Sequence, residues 1–324
     1  MLAQILLDRR MGLLTGSSGP KEKQFVSSAV EAFHRLGDLV LKPPIPHAIL
    51  QFHPVWKSLE SNMDQVWDLG MEMLEEAEKS VPEDALVTKL ANEGKMEREE
   101  RLVNLVTILQ AGVDTTSNSL AWALYNLAKY PEKQDRLRQE LRQVLDKGQC
   151  GKEHLPKLPY LKAFTREVHR ITPTASGTIR KLPFAVDAGD YQIPQDSMIL
   201  FSGEPYSLDE TLLGADPNEF NPDRWLAADQ VPKDSDPRKP VRVEGYDVMA
   251  PAPILSHPLL STPFGVGPRM CVGARVAQNE INSVVSKLCH DFVLTLDGDQ
   301  DIQAVSKLVM TPEPAPRIRF DPVL

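Results

Sequence analysis

A mainly α fold with a small β region follows from three features of the sequence. Apolar residues recur at helical spacing through the first 170 positions. Beyond Pro173 the pattern changes to short β-type runs separated by Pro and Gly turns. Nine of the 27 prolines then fall between Pro217 and Pro263, which leaves little regular structure there. With 324 residues, 42% of them hydrophobic, the chain can bury a large core without disulfide or metal staples. No internal repeat or low-complexity linker divides it. The expectation is therefore one domain over residues 1–324, with an irregular insertion at about 226–262.

The elements follow in order. Met1–Leu14 reads as a short amphipathic helix ending near Gly12. It lacks the apolar centre and cleavage site of a secretory signal, and Asp8 argues against a mitochondrial presequence. Phe25–Leu41 sets Val26, Val30, Phe33 and Leu36 on one helical face, and the run KPPIP at Lys42–Pro46 stops it. Val55–Lys79 repeats the pattern with Val55, Leu59, Met63, Val66 and Leu69, and Leu86–Asn92 is short. Arg98–Lys129 is the longest helix. Its stripe of Leu102, Leu105, Val106 and Leu109 is interrupted by AGVDTTSNS, and Pro131 stops it. Lys133–Leu145 reads as a charged surface helix, and Tyr160–Ile171 ends at Pro173. Strands are expected at Thr178–Val186, Tyr191–Ile193 and Met198–Ser202. A helix follows at Arg275–His290, then strands at Asp291–Leu296 and Arg317–Phe320.

Charge narrows the function. A net charge of −9 disfavours a general nucleic-acid or anionic-membrane binder, since both need a basic surface. No run of eighteen apolar residues is present, so no transmembrane helix is expected within this sequence. Cys150, Cys271 and Cys289 are too few and too scattered for a disulfide framework or a zinc site.

One cysteine stands out by its surroundings. Phe264, Gly265, Gly267, Arg269, Cys271 and Gly273 form F-G-x-G-x-R-x-C-x-G. The three glycines let backbone approach a flat cofactor and adopt positive φ. The helix that follows offers N–H groups and its dipole to a thiolate. Arg269 can reach a carboxylate, and Phe264 can cover the thiolate from water. A glycine-rich turn with an inert cysteine is the alternative. A phosphate loop would need a Gly-Lys-Ser/Thr ending, which is absent.

Two further constellations carry charge. Glu167 and Arg170 in TREVHR stand at i, i+3 on one helix face, and Arg224 lies in FNPDRW. A glutamate with two arginines can form a buried ionic triad; otherwise such a pair is surface decoration. Arg180 is a second candidate carboxylate clamp. In Ala111-Gly112-Val113-Asp114-Thr115-Thr116, small residues permit close approach of a ligand. A threonine hydroxyl can bond back to the helix and open a kink, and Asp114 with Thr115 makes an acid–alcohol pair able to relay protons. Helix packing with an exposed aspartate is the alternative.

Together these motifs resemble the cytochrome P-450 family, the haem-thiolate monooxygenases, from about Leu6 to Phe320 in family order. The resemblance implies the cytochrome P-450 fold, N-terminally truncated, because no residues match the family's earlier helical section. It implies haem b as cofactor, with Cys271 as the iron ligand and Arg269 and Arg180 on the propionates. Phe264, Gly265 and Gly273 shape the loop, and Ala111 and Gly112 line the substrate side. Glu167, Arg170 and Arg224 support the cysteine loop, and Asp114 and Thr115 deliver protons to bound dioxygen.

LLDRRMGLL, TTSNSLAWALYNLAKYPEKQDRLRQEL and PYLKAFTREVHRITP narrow the likeness to the mitochondrial-type branch. That implies an adrenodoxin-like ferredoxin, or a reductase, as electron donor, docked by Lys162, Arg166 and Arg275. Ala274 departs from the basic residue that branch often carries. The resemblance further implies a lipophilic substrate, sterol or other lipid. It implies the matrix face of the mitochondrial inner membrane, with the endoplasmic reticulum as alternative. A haem-thiolate isomerase or dehydratase, a non-catalytic haem-binding protein and an inactive fragment are the competing readings.

Overall fold

The computed structural model describes residues 2–8, 10–13, 15–40, 46–80, 85–175, 177–202, 208–209, 213, 216–226, 241–243, 246–248, 263–306 and 308–323. Nine α-helices are described: α1 Leu2–Leu7, α2 Pro20–Val40, α3 His47–Leu50, α4 Pro54–Ser80, α5 Leu86–Asn92, α6 Arg98–Lys129, α7 Pro131–Val144, α8 Pro159–Ile171 and α9 Ala274–Asp291. Ten short strands accompany them, so the molecule is mainly helical with small sheets. Four helices begin on proline, whose missing N–H would have no helical partner at that position. This is why α2 and α7 start earlier than apolar periodicity alone predicts. Among the described residues no helix is long and apolar enough to cross a membrane.

The residues cluster into two compact units. Met1–Ser117 with Ser306–Val309 form the first, and Asn118–Val305 with Met310–Leu324 the second. In the first, α2 and α4 run antiparallel. Gln24 Nε2 and Ser28 Oγ donate to Gln65 Oε1 at 2.6 and 3.0 Å, and Lys21 pairs with Glu72 toward the other end of α4. Phe25, Ala29, Val66, Met73 and Leu74 meet Leu102, Leu105, Val106 and Leu109 in the core. The buried face of α2 is Phe25, Ala29 and Ala32, one position away from the expected stripe, and Leu36 is exposed. The two alanines let the neighbouring backbones approach, which a count of large apolar residues does not register.

The second unit is built around α7, α8 and α9. Gln134 donates to the carbonyls of Leu127 (2.8 Å) and Leu294 (2.9 Å) and accepts from Leu294 N–H (2.9 Å). Arg138 donates to the carbonyls of Cys289 and Phe292, both at 2.9 Å. The expected surface helix is thus half-buried, with Leu137 and Leu141 in the core beside Phe164, Val285 and Leu294. Glu140 at the far end of α7 accepts the N–H groups of Tyr160 (2.7 Å) and Leu161 (2.9 Å), capping α8. Burial pushes the Glu140 carboxyl up, and those two N–H donors pull it back.

The strands form antiparallel pairs. β1 Gly177–Lys181 pairs with β4 Met198–Ser202, Ile179 opposite Leu200. β2 Val186–Ala188 pairs with β3 Tyr191–Ile193, and β7 Phe292–Leu296 with β10 Ile318–Pro322. The single strand expected at Thr178–Val186 is two, because Pro183 between them has no N–H to give a ladder. Within the expected irregular insertion, β5 Val241–Val243 pairs with β6 Tyr246–Val248. The rest of that insertion, apart from Leu226, lies outside the described residues. β8 is Gln303–Ser306 and β9 is Met310–Glu313.

Candidate functional site

α8 is buried nearly all round, and its centre is Glu167, with no exposed surface. Arg170 approaches it side-on through Nε (2.8 Å) and Nη2 (2.7 Å), the bidentate geometry that i, i+3 spacing allows. Glu167 also accepts Asn221 N–H and Trp225 Nε1–H, both at 2.8 Å, while Arg224 Nε stands 3.5 Å away. The sequence-read triad is therefore assembled. Asn221 and Trp225 complete it, and nothing in the spacing of FNPDRW foretold their roles.

The two guanidiniums spend their other donors on carbonyls. Arg170 reaches Pro217 O (2.5 Å) and Glu219 O (3.0 Å); Arg224 reaches Leu213 O (2.9 Å) and Asp216 O (2.5 Å). Burial pulls the Arg224 guanidinium down from its ordinary value, and Glu167 opposes this. Asp223, itself buried, pairs with Arg136, which lies 4.3 Å from the Tyr160 ring centroid. The triad was expected to support the cysteine loop. Among the described residues its hydrogen bonds go to Leu213, Asp216, Pro217, Glu219, Asn221 and Trp225.

The contact with the cysteine loop comes from His169, between the triad's Glu and Arg. Its ring meets Phe264 edge-on, centroids 6.0 Å apart. His169 is buried, its Nδ1 has no hydrogen-bond partner among the described residues, and burial pushes it down to about 4. The loop closes on itself: Cys271 N–H donates to Phe264 O at 2.8 Å, and Met270 N–H to Gly267 O at 3.0 Å. Gly265 (φ 72°) and Gly267 (φ 74°) take the left-handed conformation expected of them. Gly273 does not; it has φ −84° and serves as the N-cap of α9. A Cβ there would lie 3.8 Å from Cys271 Sγ. Cys271 itself is exposed, as are Arg269, Val266, Met270 and Val272.

α6 continues through Ala111–Ser119, so the interruption read from the sequence breaks its apolar stripe and not the helix. Thr115 Oγ1 donates to Ala111 O at 2.8 Å, the back-bond expected of it. Asp114 is buried rather than exposed, and burial pushes its carboxyl up while the charge of His34 draws it back. Gly112 is approached by Leu2. A Cβ there would lie 2.1 Å from Leu2 Cδ1. Ala111 is exposed.

The remaining candidates are at the surface. Arg180 Nη1 donates to Thr178 Oγ1 (2.6 Å) and Ile179 O (2.9 Å), folded along its own strand. Lys162 and Arg166 are exposed on the one open strip of α8, Arg166 lying 6.0 Å from the Trp225 ring centroid. Arg275 is exposed in the first turn of α9.

The sequence model of the cytochrome P450 family matches residues 1–320, across both units. The chain belongs to the cytochrome P450 family. Cytochrome P450 10 of Lymnaea stagnalis is 29% identical over 328 residues, covering 99% of this chain and 56% of that protein. The mitochondrial 25-hydroxyvitamin D-1 alpha hydroxylase of Mus musculus is 29% identical over 336 residues, covering 98% and 61%. The mitochondrial sterol 26-hydroxylase of Oryctolagus cuniculus is 27% identical over 336 residues, covering 99% and 58%. The chain thus spans less than two thirds of the length of these curated relatives.

The cofactor of the P450 family is haem whose iron takes a cysteine thiolate. The exposed loop fits such a group. It offers one soft sulfur ligand, an apolar rim of Val266, Met270 and Val272, and a guanidinium for a carboxylate.

Two outcomes follow. Glu167→Gln leaves two buried guanidiniums without their anion and is expected to cost about 3–5 kcal/mol in urea unfolding. A cost below 1 kcal/mol would place the triad among surface ion pairs, which contribute ~0–1 kcal/mol. His169 is neutral when folded down to about pH 4, whereas the unfolded imidazole takes up a proton below about 6.5. The unfolded state therefore binds more protons in that window, and stability falls as pH drops from about 6.5 toward 4. His169→Leu should flatten this part of the stability–pH curve; an unchanged slope would refute the assignment.

Proposed function

We propose that this P450 is a haem-thiolate monooxygenase that hydroxylates a lipophilic substrate of the sterol or other lipid class. It uses dioxygen and electrons from a ferredoxin-type partner, in the mitochondrion. The observation that carries the reading is the glycine-turned loop presenting exposed Cys271 among apolar side chains, in a chain matched by the family over residues 1–320. Two relatives, a 25-hydroxyvitamin D-1 alpha hydroxylase and a sterol 26-hydroxylase, both mitochondrial, support the substrate class and the compartment.

Cys271 would hold the iron, and Arg269 and Arg180 the propionates. Bound there, a thiolate-ligated haem supplies dioxygen binding and O–O cleavage. Phe264 and the rim residues keep water from the sulfur. Asp114 carries the proton supply and Thr115 takes it on, since a buried carboxyl raised by burial can hold a proton nearer neutrality than an exposed one. Lys162 and Arg166 form the docking strip with Arg275. A cationic strip on a chain of net charge −9 gives an acidic donor one preferred landing point.

The deciding measurement is the reduced carbon-monoxide difference spectrum of the haem-loaded protein. A strongly red-shifted Soret band is expected, lost in Cys271→Ala and kept in Cys150→Ala. A band that survives Cys271→Ala would refute the ligand. The double change Lys162→Glu, Arg166→Glu should raise the KM for an acidic ferredoxin about tenfold and weaken its salt dependence, with the spectrum intact. An unaltered KM would remove the docking role.

A further inference from the structure

We infer that His169 is a positioning residue for Cys271, acting through the ring and the carbonyl of Phe264. The consequence for an iron ligand rests on the monooxygenase reading; the positioning itself does not.

The cysteine loop is tied at both ends and open between them. Residues 266–272 are all exposed, whereas Pro263, Phe264 and Gly265 are half-buried. On the C-terminal side, Ala274 N–H donates to Cys271 O at 3.3 Å and Ala277 N–H to Gly273 O at 2.9 Å, which joins the loop to α9. On the other side, Cys271 N–H donates to Phe264 O at 2.8 Å. The amide of Cys271 is therefore only as fixed as Phe264 is. Gly265 and Gly267 lie between the two, and glycines lose the most conformational freedom on ordering. Backbone alone holds Phe264 poorly.

His169 supplies the hold. It follows Glu167 by two residues, about 200° round the helix, so it leaves α8 on the side opposite that carboxylate. Only 8% of it is exposed, and its ring meets that of Phe264 with centroids 6.0 Å apart and planes at 68°. Such an arrangement sets the positive rim of one ring against the negative face of the other. It fixes the angle of a ring as well as its place. An aliphatic side chain of similar size would fix the place alone. Burial pushes the imidazole down to about 4, so at neutral pH two uncharged rings meet.

Hydrogen bonding does not account for an imidazole at this place. Nδ1 is buried and has no partner among the described residues. The hydroxyls one turn away on α8 are spent on its carbonyls. Thr165 Oγ1 donates to Leu161 O and Lys162 O, both at 3.1 Å, and Thr172 Oγ1 to Val168 O at 2.9 Å. A leucine would fill the space without burying an unpaired nitrogen. The contact that an imidazole makes and a leucine does not is the edge-on one with Phe264.

Amide hydrogen exchange in the whole chain tests this without turnover. His169→Leu should speed exchange of the Cys271 N–H about fivefold. The Thr172 N–H of α8 and the Leu294 N–H bonded to Gln134 should keep their rates. His169→Phe, which restores an aromatic ring, should return Cys271 to within about twofold of the parent. An unchanged Cys271 amide in His169→Leu overturns the positioning. An equal rise at Leu294 does so too, because it marks a general loosening. His169→Phe exchanging as fast as His169→Leu overturns the part given to the ring. Should His169→Leu fail to fold, Phe264→Leu removes the same contact from the half-buried side, and an unchanged Cys271 amide there is equally decisive against it. In the haem-loaded protein, the red-shifted carbon-monoxide band of His169→Leu should decay about threefold faster than the parent's. A band that lasts as long, beside a faster amide, overturns the bearing on the ligand. A parent chain with no such band fails the monooxygenase reading, while the amides still decide the positioning.

Discussion

A carboxylate with no solvent exposure must have its charge and its lone pairs answered by the protein, and Glu167 meets both demands within one helix and one loop. Arg170 answers the charge from the next turn of α8. The backbone N–H of Asn221 and the indole of Trp225 take the remaining lone pairs from outside it. Two guanidiniums then exceed one carboxylate, and their surplus donors go to the carbonyls of Leu213, Asp216, Pro217 and Glu219. Asp216, Pro217 and Glu219 lie in the irregular turn that leads into the short helix Pro222–Trp225. Side-chain donors thus satisfy backbone carbonyls of this turn and tie it to α8.

This arrangement explains why α8 is so unlike an ordinary surface helix. Its N-terminus is capped by Glu140 of α7, its middle is fixed by the ionic cluster, and its apolar side chains Leu161, Phe164 and Val168 sit in the core. What is left for solvent is the strip of Lys162 and Arg166. A rigid, fully supported helix holds these two cations in a defined direction. His169 carries the same rigidity to the ring of Phe264, whose carbonyl closes the turn under Cys271.

Much of this was legible in the residues because it depends on residue type at short spacing. Helix positions followed apolar stripes and prolines. The cysteine loop followed its glycines, two of which have the positive φ their places require. The Glu–Arg pair followed i, i+3 geometry. What escaped depends on tertiary neighbours. A lone histidine in E-V-H-R is unremarkable until its burial is known. Asn221 and Trp225 contribute one backbone and one indole N–H to a helix more than fifty residues away. The approach of distant Leu2 to Gly112 is of the same kind. The α2 face was displaced by one residue because alanines, not the larger Val26 and Val30, make the close contacts.

The position of the acid–alcohol pair within α6 follows from the same balance of apolar and polar burial. The N-terminal half of this helix gives Leu102, Leu105, Val106 and Leu109 to one core, and the C-terminal half gives Trp122, Ala123 and Leu127 to another. Between the two stripes the buried residues are Asp114, Thr116 and Ser119. A carboxyl placed under either stripe would displace apolar contacts worth about 1.5–3 kcal/mol per large side chain, besides the cost of its own desolvation. At the changeover no large side chain is displaced, and only the second cost remains. The long helix can therefore bury a carboxyl where its packing duties lapse.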